Sequence, residues 1–391
     1  MKNGLRLNKT LNSLNNTGLH ACTQPFRANQ QKLFIATPFH YVRFRALLSD
    51  ITNRQLHTDK KTKVRQMTRT LLLTGPQLTA EAMAHAAAHG VRVIPTTPYA
   101  PADELTAIIA REQPDAIIVR QGKLTRDMIN ASPALKIIAK HGVGYDTIDI
   151  AAAAERGIPV TIALGANAQS VAEHALALMF SVARQTALLD ARMRDGHWDK
   201  ATAVGIELSG KTLGLVGLGA IGRILMELVT PLRMTIKVFD PYLSNLPDLP
   251  NVERAEDFDA LLASCDIISL HCPLTEQNRN LFGAAQFKRM RPGSLLINTA
   301  RGELIDTEAL VQALSTGQIA GAGLDTFNPE PPPTDSALWG LPTLVATPHV
   351  GANTAEARDR VGLLAVQQII DFWDGCAPEP RSVVNRHLFA H

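Results

Sequence analysis

A glycine-rich stretch in the middle of the chain has the spacing of a phosphate-binding turn. Gly217, Gly219 and Gly222 follow the short apolar run Leu213–Val216, and helical apolar spacing begins at Ile221. The first glycine permits a tight turn, the second lets a pyrophosphate approach the backbone, and the third lets the helix pack close to the strand. The helix N-terminus offers N–H groups and a positive dipole to phosphates. The pattern predicts a dinucleotide site.

An acidic residue follows at the position where an adenosine ribose would bind. Asp240 ends a second apolar run, Thr235–Phe239, and lies 18 residues after Gly222. At about this distance a carboxylate accepts hydrogen bonds from ribose hydroxyls. Residues 241–244 contain neither Arg nor Lys, so nothing adjacent in sequence would bind a 2′-phosphate. The pattern favours NAD over NADP, and a chance glycine turn is the alternative.

Two residues after later apolar runs have side chains suited to binding a carboxylate and moving a proton. Arg301 follows Leu295–Asn298 at the carboxyl end of a predicted strand, where open α/β sheets bind ligands. Its guanidinium matches a carboxylate in a bidentate fork. His349 follows Leu344–Ala346, and an imidazole is the side chain that exchanges protons near neutral pH. A turn cap for Arg301 and a core histidine for His349 are the structural alternatives.

From Met67 onwards, runs typical of strands and of helices alternate, which indicates parallel sheets covered by helices on both faces. The predicted strands are Thr70–Thr74, Val91–Ile94, Ala116–Val119, Leu135–Lys140, Val160–Ile162, Leu213–Val216, Thr235–Phe239, Ile267–His271, Ser294–Thr299, Gly323–Asp325 and Leu344–Ala346. The predicted helices are Thr79–His89, Pro101–Glu112, Thr125–Ala131, Ile150–Arg156, Ser170–Thr186, Ile221–Leu232 and Ala355–Phe372. The apolar centre of the helix at 170–186 indicates a buried helix or a subunit interface.

The glycine turn begins in mid-chain, so its domain requires a partner that is discontinuous in sequence. We predict an α/β fold with two Rossmann-like, doubly wound parallel-sheet domains, the nucleotide domain being inserted into the other. The expected bounds are 67–165 and 352–391 for the substrate (catalytic) domain and 166–351 for the NAD-binding domain. We expect residues 1–66 to be a disordered extension or the result of a translation start upstream of the natural one, with a targeting segment as the alternative.

Net charge, cysteine spacing and the length of apolar runs limit which ligands and partners the protein can have. Residues 1–66 hold 12 Lys and Arg against two Asp, so although the whole chain has a net charge of +3, the rest carries −7. A mildly acidic body argues against a nucleic-acid partner. The four cysteines form no C-x-x-C pair and no zinc spacing, which favours a reducing, cytoplasmic compartment and no metal site. No apolar run is long enough to predict a membrane span.

Several separate motifs resemble those of the D-isomer-specific 2-hydroxyacid dehydrogenases, from Met67 to about Asn385. The closest likeness is to phosphoglycerate dehydrogenase and its hydroxypyruvate or glyoxylate reductase relatives. The motifs are Gly142–Asp149 (GVGYDTID), Ser170–His174 (SVAEH), Gly217–Gly222, His271–Thr275 (HCPLT), Asn298–Gly302 (NTARG), Gly321–Phe327 (GAGLDTF) with Glu330–Pro332 (EPP), and Thr347–Ala352 (TPHVGA).

The resemblance implies a catalytic set of Arg301, Glu330 and His349. It places Glu330 in a hydrogen bond with His349, where a carboxylate would orient the ring, fix its tautomer and stabilise the imidazolium. A solvated loop acid is the alternative. Formate dehydrogenases resemble this fold but have Gln at the position of Glu330, so the acid favours reduction coupled to proton transfer.

The resemblance also implies binding residues. It makes Asp325 a partner of the nicotinamide carboxamide, with a turn cap as the alternative, and Cys272 part of the adenosine side. Arg120 is either a ligand of a substrate phosphate or hydroxyl or a surface arginine. The full predicted cofactor set is Val143, Gly217, Gly219, Ala220, Ile221, Gly222, Asp240, Cys272, Thr299, Ala300, Asp325, Gly351 and Ala352, and the predicted substrate set is Arg120, Val143, Gly144 and Arg301.

The expected activity is an NAD-dependent oxidation of a D-2-hydroxy acid or reduction of a small 2-keto acid, of the hydroxypyruvate, glyoxylate or 3-phosphoglycerate type, by a homodimer. One departure from the family is Ala220, where many relatives carry Arg and gain a pyrophosphate contact. A non-enzymatic NAD-sensing scaffold, like the corepressors that share this fold, is the alternative function, because those proteins keep the same Arg, Glu and His.

Overall fold

The computed structural model describes residues 69–388, which form two parallel β-sheets with helices on both faces of each. The predicted extension at residues 1–66 lies outside the described residues. The strands are β1 Arg69–Thr74, β2 Val91–Pro95, β3 Ala116–Val119, β4 Ile137–Lys140, β5 Val160–Ile162, β6 Thr212–Val216, β7 Thr235–Phe239, β8 Val252–Arg254, β9 Ile267–Leu270, β10 Ser294–Asn298, β11 Ile319–Leu324 and β12 Leu344–Ala346.

The α-helices vary from five to 19 residues. They are α1 Ala80–Ala88, α2 Ala102–Glu112, α3 Arg126–Asn130, α4 Ile150–Glu155, α5 Ala168–Arg184, α6 Thr186–Arg194, α7 Ala220–Val229, α8 Phe258–Ser264, α9 Ala284–Arg289, α10 Thr307–Ser315 and α11 Ala355–Trp373. Short 3₁₀ turns lie at Thr230–Leu232, Glu276–Asn278, Gly302–Leu304, Ala337–Gly340 and Arg386–Leu388.

The first sheet has the strand order β2-β1-β3-β4-β5, and every pair is parallel. Its central strands are buried on both faces, as expected when helices cover both sides of a parallel sheet. One face packs against α2, α3 and α4, and the other packs against α1 and α11. In register, Val119 of β3 pairs with Lys140 of β4, so the residues that follow these strands lie side by side.

The second sheet has the order β12-β11-β10-β9-β6-β7-β8, again all parallel. Read from β8, this is the doubly wound order with a reversal between β6 and β9. In such sheets, ligands bind at the carboxyl ends of the strands beside the reversal. Helices α5 and α7 cover one face, while α8, α9 and α10 cover the other.

The C-terminal segment returns to the first sheet. Helix α11 packs against α1 and β4, and the tail beyond it runs along β5. Asn385 is fully buried there, where its side chain accepts from the Val160 N–H at 3.0 Å and donates to the Ile158 carbonyl at 2.9 Å. The predicted two-sheet α/β fold is therefore confirmed, while the exact domain bounds stay a prediction.

Helix α5 is a core helix of its own chain. Its apolar face lies on β10 and β11, where two glycines replace side chains of the sheet. A Cβ added at Gly321 would lie 2.5 Å from Val182 Cγ1, and one added at Gly323 would lie 3.0 Å from Leu178 Cβ. The predicted choice between a buried helix and a subunit interface is thus decided, for this face, in favour of burial.

Among residues 69–388, no helix is both long and apolar enough to span a membrane. The same range contains no cluster of His, Cys, Asp and Glu side chains arranged to bind a metal ion.

Candidate active site

The glycine turn after β6 forms a backbone cradle at the carboxyl edge of the second sheet. Gly217 has a φ of +95°, and a Cβ there would lie 3.0 Å from the backbone of Cys272. A Cβ at Gly222 would lie 2.6 Å from the Gly217 carbonyl oxygen, which shows how closely α7 approaches the strand. Nothing lies within 4 Å of a Cβ at Gly219, so open space faces the N-terminus of α7. This open cradle fits a pyrophosphate.

Asp240, at the end of β7, lies directly beside the cradle. Its carboxylate accepts from the Leu218 N–H at 2.9 Å and from the Tyr242 N–H at 3.0 Å. Each oxygen can accept a further hydrogen bond, as a ribose requires. The structure also brings Arg254 of β8 to this edge, where its guanidinium donates to the carbonyls of Asp240 and Leu243. No local pattern predicts this contact, because Arg254 lies 14 residues after Asp240.

Two further predicted cofactor residues lie on neighbouring strand ends. Thr299, after β10, is 8% exposed, and its hydroxyl is buried without a hydrogen-bond partner in residues 69–388. An unpaired buried hydroxyl is costly, so this atom suits a ligand. Cys272, after β9, is half-buried, and burial raises the pKa of its thiol to about 11. The thiol is therefore protonated at neutral pH and unsuited to act as a nucleophile.

Arg301 is presented by a turn that a buried asparagine organises. Asn298, fully buried at the end of β10, accepts from the Ala300 N–H at 2.9 Å and donates to the Arg301 carbonyl at 2.7 Å. The next residue must be glycine, because a Cβ at Gly302 would lie 2.0 Å from the backbone of Phe327. The guanidinium is thus held at the carboxyl edge of the second sheet.

The Arg301 guanidinium reaches across to the glycine-rich loop of the first sheet. Its Nε donates to Asp146 Oδ2 at 3.0 Å, and a Cβ at Gly144 would lie 1.8 Å from its Nη2. The backbone N–H groups of Val143 and Gly144 take no part in the hydrogen bonds found among the described residues. An arginine paired with a carboxylate therefore lies against a loop that has two N–H groups without a partner in the described chain, an arrangement suited to a carboxylate ligand.

His349 and Glu330 form a hydrogen-bonded pair on adjacent loops. His349 Nδ1 donates to Glu330 Oε2 at 2.8 Å, and the other carboxylate oxygen accepts from the Phe327 N–H at 3.0 Å. Burial alone would raise the pKa of Glu330, but these two hydrogen bonds and the nearby charge of Arg301 outweigh it and lower that pKa. The carboxylate is therefore ionised at neutral pH, and His349 keeps Nε2 for another partner.

Asp325, only 1% exposed, supports the turn that carries His349. Its carboxylate accepts from the Thr347 hydroxyl at 2.6 Å and from the N–H groups of Val350 and Gly351 at 2.9 and 2.8 Å. Burial would raise the pKa of Asp325, but the contact with His174 and these hydrogen bonds lower it instead. Asp325 thus caps this turn, and its contact with the nicotinamide carboxamide stays a prediction.

Comparisons with known proteins agree with this geometry. The family model described as D-isomer specific 2-hydroxyacid dehydrogenase, NAD binding domain, matches residues 176–351. A hydroxypyruvate reductase of Thermotoga maritima is 44% identical over 278 residues, which cover 70% of this chain and 89% of that protein. The chain belongs to the D-isomer-specific 2-hydroxyacid dehydrogenases. The cofactor of the matched domain is NAD.

Two other relatives show the spread of this family. A D-3-phosphoglycerate dehydrogenase of Archaeoglobus fulgidus is 41% identical over 277 residues, 68% of this chain and 51% of that protein. The crystal structure of a glyoxylate reductase from Paecilomyes thermophila superposes with a TM-score of 0.71 at 30% identity, covering 82% of this chain and 98% of the other. The chain spans about half the length of the phosphoglycerate dehydrogenases that it matches.

A basic group lies beside the glycine-rich loop of this family member. Arg120 follows β3, Lys140 ends β4, and the Lys140 amine lies 3.5 Å from the Arg120 carbonyl. A Cβ at Gly362 of α11 would lie 3.8 Å from His141 Nε2, and Arg358 lies one turn earlier on the same helical face. Positive side chains from three elements thus face one region.

The positive charges of this basic group act on one another and on His141. Burial, followed by the charge of Arg301, lowers the pKa of Lys140 to about 8, and Asp146 opposes that shift. Burial and the charges of Arg120, Lys140 and Arg358 lower the pKa of His141 to about 3, so this histidine is neutral. Arg120 has one nitrogen bonded to the carbonyls of Pro76 and Gln77 at 3.0 and 2.9 Å.

The structure therefore brings most predicted site residues together at facing sheet edges. Arg301, Glu330 and His349 meet there, with Val143 and Gly144 opposite, while Ala220 and Ile221 begin α7 and Ala300, Gly351 and Ala352 lie in the supporting turns. Sequence reasoning assigned no role to Asp146, His174, Lys140 or Arg358. Asp146 and His174 lay inside quoted motifs, but only the fold shows what each one contacts.

Proposed function

We propose that this chain is an NAD-dependent D-2-hydroxyacid dehydrogenase that interconverts a small 2-keto acid and its D-2-hydroxy acid. The observation that carries the proposal is the hydrogen-bonded pair of His349 and Glu330 beside Arg301, at the same sheet edge as the nucleotide cradle. Reduction of a keto acid requires a proton donor and a cation at these positions. Bound NADH supplies the hydride for that reaction.

Arg301 binds the substrate carboxylate and polarises the carbonyl. Its guanidinium already holds a carboxylate, that of Asp146, at 3.0 Å, and an exchange of one carboxylate for another conserves that interaction. The free N–H groups of Val143 and Gly144 complete the carboxylate site. Because a glycine with no side chain stands against the guanidinium, the substrate can approach from the loop side.

His349 moves the proton. Its Nδ1–H is engaged by Glu330, which leaves Nε2 directed away from the carboxylate and available to the substrate oxygen. In reduction the imidazolium donates a proton to the developing alkoxide, and in oxidation the neutral ring accepts one from the hydroxyl. Glu330 stabilises the imidazolium, since its lowered pKa keeps it negatively charged.

The cofactor contacts we propose follow the same edge. The open space at Gly219, with the N-terminus of α7 at Ala220 and Ile221, takes the pyrophosphate, and Asp240 takes the adenosine ribose. Thr299 offers its unpaired hydroxyl further along the edge. The domain bounds we propose remain 67–165 with 352–391, and 166–351.

We propose that the substrate carries a second anionic group. Arg120, Lys140 and Arg358 place three positive charges beside the loop that faces Arg301, and Asp146, the nearby acid, is paired with Arg301. Clustered like charges repel one another unless an anion neutralises them. A phosphorylated 2-keto acid of the phosphohydroxypyruvate type fits this excess better than hydroxypyruvate, glyoxylate or pyruvate, each of which has one charge.

The test is a screen of NADH oxidation with phosphohydroxypyruvate, hydroxypyruvate, glyoxylate and pyruvate. We expect turnover that His349→Ala abolishes, with the highest kcat/KM for phosphohydroxypyruvate. Arg358→Gln should raise KM for that substrate and leave KM for hydroxypyruvate unchanged. NADH binding without turnover of any keto acid would instead support the NAD-sensing scaffold. An equal effect of Arg358→Gln on both substrates would contradict the second anionic group.

We also propose a homodimer, which joins through the segment after α5 rather than through α5 itself. Helix α6 buries none of its residues within the described chain, and apolar side chains remain exposed around it. Met193, Trp198 and Val204 are 52%, 75% and 77% exposed. Such a patch beside a nucleotide domain suits a second copy of the chain.

Light scattering at micromolar concentration should give the mass of two chains, and Trp198→Asp should give the mass of one. Tyr99→Asp is the matched control, because Tyr99 is 73% exposed elsewhere on the molecule and should leave the dimer intact. A monomeric wild-type protein would contradict the proposal.

The free cysteines Cys265, Cys272 and Cys376 fit the cytoplasmic location that we propose for this enzyme.

A further inference from the structure

A polar network behind the catalytic turn includes a histidine to which the reaction assigns no role. His174, on α5, has its Nε2 2.8 Å from the Thr347 hydroxyl and 3.4 Å from Asp325 Oδ1. The Thr347 hydroxyl donates its proton to Asp325 Oδ1 at 2.6 Å. Its oxygen must therefore accept from His174, which places the ring proton on Nε2. The network thus runs in one direction, from His174 through Thr347 to Asp325.

Asp325 links this network to the backbone around His349 by hydrogen bonds. Its carboxylate accepts from the N–H groups of Val350 and Gly351, and its carbonyl accepts from the His349 N–H at 2.8 Å. Three consecutive N–H groups of the turn are therefore fixed by one residue. Helix α5, through His174, is the rigid element against which that residue is braced.

The turn requires this support because its conformation is unfavourable. His349 has a φ of +53°, in the left-handed region that non-glycine residues rarely adopt. The backbone is also pressed against the network, since a Cβ at Gly351 would lie 2.9 Å from Asp325 Oδ2 and 3.4 Å from His174 Cδ2. A strained conformation persists only where its surroundings hold it in place.

We propose that His174 is a positioning residue, which fixes the direction in which His349 presents Nε2 by connecting α5 to the turn through Thr347 and Asp325. The proposal rests on the proposed function, because a direction for His349 matters only if that ring moves the proton. Glu330 fixes the ring from the solvent side, and His174 fixes the backbone beneath it. Among the described residues, the polar contacts of the His174 ring are to Thr347 and Asp325, and none is to His349 or Glu330.

The first experiment compares turnover in His174→Leu, His174→Gln and Thr347→Val, with saturating NADH. We expect His174→Leu to lower kcat by about 10²-fold with little change in KM, because small misplacements of a catalytic group have effects of this size. The amide of His174→Gln keeps an N–H donor and should restore part of the rate. Thr347→Val should resemble His174→Leu, and the double variant should be no slower than either single variant.

Isotope effects separate positioning from a general loss of structure. A misdirected His349 slows proton transfer, so the solvent isotope effect on kcat should rise in His174→Leu, whereas the effect of deuterated NADH should fall. His85→Leu is the matched control, since the His85 Nε2 bond of 2.7 Å to Gln367 connects α1 and α11 away from this turn. That variant should keep the wild-type kcat and both isotope effects.

A second measurement does not depend on turnover. Amide hydrogen exchange of the peptide that contains Val350 and Gly351 should accelerate in His174→Leu and not in His85→Leu. Unchanged exchange, or an unchanged kcat, in His174→Leu would overturn the positioning role. If the wild-type protein turned over no keto acid while exchange accelerated as expected, the proposed function would fail and the network would stand as a structural one.

Discussion

Two glycine-rich loops stand at the carboxyl edges of the two sheets, and their glycines are required for different reasons. In the loop after β6, Gly217 and Gly222 are required because backbone packs against backbone within the same sheet. In the loop after β4, Gly144 is required because the Arg301 guanidinium, from the other sheet, lies where a Cβ would be. The loop after β6 packs within its own sheet. The loop after β4 contacts a side chain of the other sheet, and the two residues in contact, Gly144 and Arg301, are 157 positions apart in the sequence.

This difference predicts how each loop responds to substitution. Substitutions in the loop after β6 should impair folding or cofactor binding, because this loop packs against its own helix and against the end of a neighbouring strand in the same sheet. Substitutions in the loop after β4 should impair substrate binding and catalysis, because this loop contacts Arg301, the side chain that we propose binds the substrate. Substitutions in each loop separate these two outcomes.

Among substitutions in these two loops, Gly144→Ala should cause the largest loss of activity. The added Cβ would lie 1.8 Å from Arg301 Nη2, the far end of a side chain that can move, so the guanidinium rather than the backbone gives way. We expect kcat/KM for keto-acid reduction to fall by about 10²-fold. NADH affinity, measured by fluorescence titration, should stay within about twofold, and a parallel loss of NADH binding would break the distinction between the loops.

Gly219→Ala should weaken NADH binding and leave the fold intact. No atom lies within 4 Å of the added Cβ, so the protein should fold with an unchanged Tm, while the methyl group occupies the space for the pyrophosphate. The Kd for NADH should rise on the order of tenfold, about 1.4 kcal/mol. Gly222→Ala is the informative contrast, because its Cβ meets the Gly217 carbonyl at 2.6 Å and should lower Tm. Equal Tm values for the two variants would count against the local packing.

Asp240→Ala should have a smaller effect, confined to cofactor choice. Asp240 repels a 2′-phosphate, and Arg254 lies at the same edge with its guanidinium 2.8 Å from the Leu243 carbonyl. Removal of the carboxylate should therefore lower the preference for NADH over NADPH several-fold, measured as a ratio of kcat/KM values. Asp240→Ala combined with Arg254→Ala should gain less NADPH activity than Asp240→Ala alone. A wild-type protein that used both cofactors equally would contradict the assignment.

The sequence predicts those parts of the fold that are set by local patterns. Strands such as Ala116–Val119, Thr235–Phe239 and Leu344–Ala346 have the predicted bounds, because short apolar runs between polar turns have few alternatives. Helix α6 was not predicted, since it buries no residue and so has no apolar periodicity. Strand β11 begins at Ile319, four residues before its predicted start, because its glycines accommodate α5 and conceal the strand pattern.

The site residues, like the fold, divide into those that local patterns predict and those that only the packing reveals. Positions after strands predicted Arg301 and His349, and the family resemblance supplied Glu330. Neither could predict that Asp146 pairs with Arg301, that Arg358 of the last helix faces Arg120, or that His174 supports the turn of His349. Each of these contacts joins elements more than 150 residues apart and depends on how the helices and sheets pack rather than on any local pattern.

We expect Glu330 and His349 to act as a coupled pair. The structure gives a 2.8 Å hydrogen bond and an ionised Glu330, whose negative charge stabilises the imidazolium. Reduction needs that imidazolium, so its rate should decline at high pH. Glu330→Gln keeps the shape of the side chain and removes the negative charge that stabilises the imidazolium.

The most direct test is the pH dependence of kcat/KM for keto-acid reduction in wild type and Glu330→Gln. We predict that the alkaline limb of the profile moves to lower pH in the variant, because the negative charge of Glu330 no longer faces the ring of His349. NADH affinity at neutral pH should be the same in both proteins. An alkaline limb at the same pH in both would contradict the coupling of Glu330 and His349.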